Sequence, residues 1–560
     1  MPAYNEQSPL FSYKEARNII HVRATQYNKD THVIRETLHF TDSHKLNQVR
    51  ILENYERPFY ITPKRFRTYT QHKEREPLDR LTKYSSTQSA LAASIARALG
   101  EFNTQRSVRD VCNSPYVFGA ATSSVTHIRR TYKDTYNKPM TQQSYLAYDL
   151  ETCVYDTDGS IIIASIAIDD IVEVYIRNDF LTGISNPIQQ LYELQPVLYD
   201  KYNYTPHMQN CTVTYAICNT EVDLIKTLAQ RMFHHDPDVV AAWNHSFDVN
   251  KLINRCIALN LTAKEIFSHP SVPKPVTRFD FQEGTTHKLT ANGTYRPLQP
   301  SEQWHNIHAT SGFVWLDAMC VYRRLRSQNA FLSSYGLDNI ANIHLGVGKM
   351  HTDETEFMDG LERHRYMQKY DKLTYCVYAA LDVRLMVLIE RQTKDITLRL
   401  PLELAGSDYR DTASSSKRSI DMFAEALEKD GYILGTVGSE PDKFDEQVLP
   451  LGGWPLTLPN DLHHMEGIKC LSDFPNLPTN IFPLVQNSDL ASSYPSEITA
   501  LNISKETTKH EYIRMTGARC SSSELLKQNM NIFNGAPNAY DYCVNIYGFP
   551  SFDEVDKLLK

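Results

Sequence analysis

The apolar and polar positions of the chain alternate with two periods. From Ser144 to Thr152 the letters SYLAYDLET follow period two, so a strand through Tyr145, Ala147, Asp149 and Glu151 points its last two carboxylates the same way. Apolar Leu146 lies behind them and Leu150 between them. IIIASIAI (Ile161 to Ile168) reads as a buried partner strand and Ile171 to Ile176 as a third, which suggests a meander. Thr220 to His234 then changes to helical spacing, with Val222, Ile225, Leu228, Ala229 and Met232 on one stripe. A short apolar strand, Pro237 to Asn244, and a helix, Phe247 to Asn260, form an α/β unit in which Asn244 and Asp248 flank the turn.

Residues 261–310 are polar and irregular, with a hairpin turn expected at Ala291-Asn292-Gly293. Order resumes in a strand through Val314 and Leu316 leading into a helix. A long helix from Asp371 to Thr393 places Tyr378 and Asp382 at i and i+4, on one face. Before this region, His32–Phe40 and Phe59–Thr62 look β-like and Ser89–Phe102 helical. After it come a linker (397–416), an amphipathic helix (Arg418 to Ile433), a Gly/Pro hinge (Val448 to Leu456) and a second acidic strand centred on Asp489 and closed by Tyr494-Pro495.

Composition narrows the picture. With 41 % apolar and 22 % charged residues the chain is an ordinary soluble globular protein, and 560 residues suggest roughly three to five domains. A net charge of −8 argues against general coating of nucleic acid, so any such surface must be a local patch. One candidate is Arg57 to Arg75, including Arg65 and Arg67, where basic and aromatic residues interleave. That pattern suits phosphate contact with base stacking, and equally a solvated face with half-buried rings. The ten cysteines include no C-x-x-C and no Cys–His pairing at zinc-ligand spacing, so they read as reduced thiols, and His234, His235, His245 and His305 read as surface or packing residues. The N-terminus lacks a basic-then-apolar leader and no run is long enough to span a membrane, which fits a cytoplasmic protein.

Two acids on one strand face need solvent or a cation. Further acids follow in order: D-x-E at 149 and 151, N-x-x-F-D at 244 to 248, and Y-x-x-x-D at 378 to 382. Together these resemble the three exonuclease motifs of family B DNA polymerases. SSYGLDNIANIHLGVGKM (Ser333 to Met350) resembles that family's S-Y-x-L-D-x-I-A…G-x-G-K segment. DLASSYPSEITALNISKET (Asp489 to Thr507) resembles its palm motif, with tailed-phage enzymes the nearest in character. The resemblance covers about residues 55 to 510.

It implies a ribonuclease H-like 3′→5′ exonuclease with a mixed sheet, in an α/β and α+β multidomain chain. The domains would be an N-terminal domain (1–140), the exonuclease (141–396), a linker and helix returning to the N-terminal domain (397–447) and the first part of a polymerase palm (448–560). Phosphodiester hydrolysis calls for two divalent ions roughly 4 Å apart, Mg²⁺ or Mn²⁺, held by hard oxygen ligands. By transfer, Asp149 bridges the ions, Glu151 and Asp382 bind the ion holding the attacking water, Asp248 acts largely through water, and Tyr378 orients that water. Asn244 and Phe247 would meet DNA or pack.

In the palm, Asp489 would bind metal, the backbone near Ser492 and Ser493 the incoming dNTP, and Tyr494 would exclude a ribose 2′-hydroxyl. Ser493 and Glu497 depart from the family's Leu and Ile. A D-T-D turn and a K-x-x-x-N-S-x-Y-G helix do not follow residue 510, and Tyr155–Asp158 (YDTD) lies in a turn after the first acidic strand. The resemblance therefore implies one subunit of a split replicative polymerase. Its partners would be primer–template DNA, single-stranded 3′ ends, a second polypeptide with the remaining palm, fingers and thumb, and a sliding clamp. A free-standing exonuclease with a vestigial palm and a non-catalytic DNA-positioning subunit are the alternatives. The 261–310 insert would either help move a mispaired primer end or be a plain surface loop.

Overall fold

In the computed structural model, residues 16–26, 29–39, 45–66, 75–101, 107–136, 142–289, 294–327, 331–404 and 407–436 are described. The Gly/Pro hinge and the acidic strand around Asp489 lie outside them. The architecture is mixed α/β, organised by a six-stranded sheet. Its strands are β1 (Tyr145–Thr152), β2 (Ile161–Ile168), β3 (Ile171–Arg177), β4 (Thr212–Cys218), β5 (Val239–Ala242) and β6 (Val314–Asp317), in the order β4-β3-β2-β1-β5-β6.

The first three strands form the expected antiparallel meander, and β4, β5 and β6 each join their neighbour in parallel. Antiparallel strands close through a tight turn, whereas parallel ones need crossovers, which the helices supply. The β2–β3 turn is two residues long and places Asp169 at φ +50°, a left-handed conformation that Asp tolerates. All eight residues of β2 are buried, as expected for an unbroken apolar strand covered on both faces.

Helices α1 (Pro187–Lys201), α2 (Glu221–His235), α3 (His245–Ala258), α4 (Ala318–Leu325), α5 (Leu337–Leu345), α6 (Gly360–Tyr370) and α7 (Lys372–Thr393) surround this sheet. Two apolar layers divide along the alternation of β1. Tyr145 and Ala147 pack with α1, α4, α5 and α7; Leu146, Tyr148 and Leu150 pack with α2 and α3. Helix α7 is buried almost all round, consistent with a central helix, and starts at an Asp371 cap that accepts from Thr374 N. Helix α2 starts in a capping box of Thr220 and Asp223.

The 261–310 insert, expected to be irregular, contains two antiparallel pairs: Phe279–Gln282 with Asn306–Ala309, and His287–Leu289 with Tyr295–Pro297. The second pair flanks the expected Asn-Gly turn, which itself lies outside the described residues. The 397–416 stretch, read as a linker, carries short helical turns in which Thr397, Leu400 and Leu404 are buried.

Towards the N-terminus, Ala16–Gln26, Lys29–His39 and Lys45–Glu53 form a three-stranded antiparallel sheet. Its Arg35 donates to the carbonyls of Pro237 and Asp236 and pairs with Asp238 at 3.2 Å. Asp238 in turn accepts from Ser144 N at 2.8 Å and Ser144 Oγ at 3.0 Å, which ties the start of β1 to the start of β5.

Buried Glu221 is a comparable joint. It accepts from Ile161 N (2.8 Å) and from Arg255 Nε and Nη2 (2.8 and 2.7 Å), linking β2, α2 and α3. Removing one partner of such a pair leaves a buried charge uncompensated. Glu221→Ala is therefore expected to cost about 3–5 kcal/mol in urea unfolding and Glu221→Gln clearly less. An unchanged midpoint for Glu221→Ala would contradict this assignment.

Candidate active site

Strand alternation puts Asp149 and Glu151 on the α7 side of the sheet, and helical spacing puts Tyr378 and Asp382 on the facing side of α7. Asp149, Glu151 and Asp382 each offer a carboxylate oxygen, and these oxygens lie within 4.8 Å of one another. Asp248 comes from the first turn of α3. It is 3 % exposed and interacts electrostatically with Asp149.

Burial and crowding disfavour the charged forms of this group. Burial raises the Asp149 pKa, and repulsion from Glu151 and Asp382 raises it further, against a smaller opposing effect of Lys349. Burial pushes Glu151 up to about 8 despite a hydrogen bond from Tyr375 that stabilises its anion. Asp248 is raised by burial and then by Asp149. Two carboxylate oxygens, Asp248 Oδ1 and Asp382 Oδ1, are buried with no hydrogen-bond partner. Crowded hard oxygens, some without donors, fit a divalent cation.

The positive charge within the cluster is Lys349, whose Nζ lies 2.6 Å from Asp382 Oδ2 and 3.1 Å from Tyr378 Oη. Burial alone would lower its pKa, but Asp382, Tyr378 and Asp149 outweigh that and raise it. The backbone explains its placement. Helix α5 ends at Gly346 with φ +73°, and a Cβ on Gly348 would stand 2.1 Å from Asp338 Oδ1. That same oxygen accepts from Lys349 N at 2.7 Å. The G-x-G-K letters thus fold the loop onto Asp338 and aim the lysine inward.

Sequence reasoning assigned no role to Lys349, although it quoted the motif. It also missed the shell around Glu151. Tyr375 donates its hydroxyl to Glu151 Oε2, while His364 Nδ1 (2.8 Å) and Gln368 Nε2 (3.2 Å) meet the Tyr375 oxygen. The available signal was spacing, since Tyr375 stands one turn before Tyr378 on the same helix.

Beside the carboxylates opens a cleft of about 460 Å³ lined by Glu151, Thr157, Phe247, Lys251, Leu361 and His364 among others. Phe247 is 47 % exposed, with Lys251 Nζ 5.7 Å from its ring centroid. Asn244 is exposed at the start of α3, and its carbonyl accepts from Phe247 N at 3.0 Å. Arg65 is exposed, stacks its guanidinium 4.6 Å from the Phe66 centroid, and is not among the residues lining the cleft. Arg67, Asp489, Ser492, Ser493 and Tyr494 lie outside the described residues. In the YDTD stretch, Asp156 caps the turn by accepting from Ser160 N at 3.0 Å.

Because burial pushes the Glu151 pKa up to about 8 from its usual 4.5, the folded state holds its proton more tightly than the unfolded state. The metal-free protein should therefore lose stability as pH rises from 4.5 to about 8. Added Mg²⁺ or Mn²⁺ should offset part of that decline, raising stability by about 2.7 kcal/mol at a hundredfold excess over Kd. Thermal melts across this range check it; a melting temperature indifferent to both pH and metal would count against the site.

Residues 117–340 match a family model described as DNA polymerase family B, exonuclease domain. No curated protein matches the chain. The matched span contains the first two acidic motifs, while Lys349, Tyr378 and Asp382 follow it and join them through the fold. Residues 117–340 thus resemble the exonuclease domain of family B DNA polymerases, which supports a 3′→5′ exonuclease domain in this part of the chain.

Proposed function

We propose that this domain is a two-metal, ribonuclease H-like proofreading exonuclease that removes nucleotides from single-stranded 3′ ends of DNA. The observation that carries the reading is the convergence of Asp149, Glu151 and Asp382 within 4.8 Å beside an open cleft whose lining includes Glu151, Phe247 and Lys251. Asp149, Glu151 and Asp382 would hold the ions, with Asp248 contributing from α3. Bound there, Mg²⁺ or Mn²⁺ would supply an acidified water and neutralise charge at the scissile phosphate.

The remaining work falls to the chain itself. Phe247 offers a face on which a terminal base can stack, and Lys251 a cation for the phosphate behind it. Burial, and then Asp382, raise the Tyr378 pKa, so the phenol stays protonated. Lys349 already fills one of its lone pairs, which leaves the O–H free to orient the attacking water. The water oxygen forms the new bond to phosphorus, the P–O3′ bond breaks, and the shortened strand leaves with a 3′-hydroxyl. Tyr375 holds Glu151 in register throughout.

The finer domain assignment belongs to the same reading. It places an N-terminal domain over 1–140, the exonuclease over 141–396, a returning segment over 397–447 and palm from 448. Pairing of Tyr432–Leu434 with Arg75–Pro77 supports the return. Polymerisation through Asp489 and Tyr494 rests on sequence resemblance; it would need a second metal-binding aspartate and a lysine-bearing fingers helix to handle dNTP. Primer–template DNA and a sliding clamp would be its partners.

Rates on a labelled single-stranded oligonucleotide test the exonuclease reading. Asp149→Ala and Asp382→Ala should each lower the rate by at least about 10³-fold. Tyr378→Phe should lower it roughly 10–100-fold, and Lys349→Met comparably, with the metal-induced rise in melting temperature retained. Undiminished digestion by an Asp149→Ala, Glu151→Ala double variant would instead favour a DNA-positioning role.

A further inference from the structure

A second group of ligand-type side chains lies away from the carboxylate cleft. His305, Asp317 and Cys320 each offer one ligand atom, all within 4.8 Å of one another, and all three residues are buried. They come from different parts of the domain. His305 closes the 261–310 insert, Asp317 ends β6 and caps α4, and Cys320 sits in the first turn of α4. A fourth group is adjacent. His245, in the first turn of α3, is fully buried, and its backbone N–H donates to Asp317 Oδ2 at 3.1 Å. Its Nδ1 meets Tyr148 Oη at 3.3 Å, and its Nε2 has no hydrogen-bond partner. Burial, and after it His305, lower the pKa of this ring.

We propose that His305, Asp317 and Cys320 form a structural zinc site, to which a movement of the ring would bring the partnerless Nε2 of neighbouring His245 as fourth ligand. The donor set is the argument. Two neutral imidazoles, one carboxylate and one thiolate make four ligands carrying two negative charges, which balance Zn²⁺ in a buried setting. Mg²⁺ would not select a thiolate and imidazoles, so the site is chemically distinct from the carboxylate cleft.

The surroundings resemble the outer support of such sites. Asp317 Oδ1 accepts from Cys320 N at 2.8 Å and Oδ2 from His245 N, and the carboxylate also accepts from Met319 N and from the Cys320 thiol, the last being the contact that a metal would replace. Binding releases the Cys320 proton, which now also faces the Gln303 carbonyl. If His305 binds through Nε2, it gives up only its 3.2 Å contact from Gly284 N. The metal would tie the insert to α3, three residues from Asp248, so its role is to position that helix.

Cobalt substitution in the full chain decides the matter, because a thiolate ligand adds a near-ultraviolet charge-transfer band that carboxylates do not. Wild type, after chelation and gel filtration, should take up one equivalent of Co²⁺ with that band, and zinc should displace it. Cys320→Ser should lose the band, whereas Cys153→Ser, next to the cleft, and Asp149→Ala should keep it. His245→Gln and His305→Gln should each weaken cobalt binding at least tenfold. Absence of the band in wild type, or its persistence in Cys320→Ser, would overturn the site. Wild-type affinity in His245→Gln would remove His245 from it. The wild-type spectrum stands even if a variant fails to fold.

Discussion

Mutual repulsion among buried carboxylates is the constraint on which the rest of this domain depends. Asp149, Glu151 and Asp382 would separate if their backbones could move, so their proximity requires stiff supports. Those supports are the central strand β1, hydrogen-bonded on both sides, and α7, buried almost all round. The tie of Ser144 to Asp238, backed by Arg35, fixes where β1 begins. The apolar layers on either side are thus the means by which the fold holds like charges a few ångströms apart.

Lys349 moderates that repulsion without abolishing it. One ammonium facing Asp382 leaves three raised or partnerless carboxylates, so the site retains a net demand for positive charge. The ring of Tyr375, His364 and Gln368 then orients Glu151, Tyr375 and Gln368 being uncharged and burial lowering the His364 pKa. This division of labour separates positioning from charge. It also explains why a lysine and a tyrosine can share a pocket with carboxylates that could bind a cation.

Much of this was legible in the sequence, for local reasons. Period two through Tyr145–Glu151 and helical spacing through Tyr378–Asp382 each fix which side chains share a face, and both faces emerged as read. What stayed hidden depends on non-local pairing or mixed signals. The insert's strands pair across many intervening polar residues, and their short alternation resembles loop. Helix α1 contains Pro196, and α6 is polar almost throughout, so neither announces a buried stripe. The lysine was hidden differently. Its letters were visible in G-x-G-K, but only the close approach of Gly348 to Asp338 turns the loop towards Asp382. The same holds for His245, His305, Asp317 and Cys320, which no local spacing brings together.

The central claim is that these carboxylates are gathered to hold divalent cation at a DNA 3′ end. The direct measurement is the digestion of a 5′-labelled single-stranded DNA by the wild-type chain as free Mg²⁺ is varied against a chelator. The account predicts a ladder that shortens one nucleotide at a time from the 3′ end, rises with free metal and stops when metal is withdrawn. Digestion that continues in chelator, or that proceeds from the 5′ end, would contradict it.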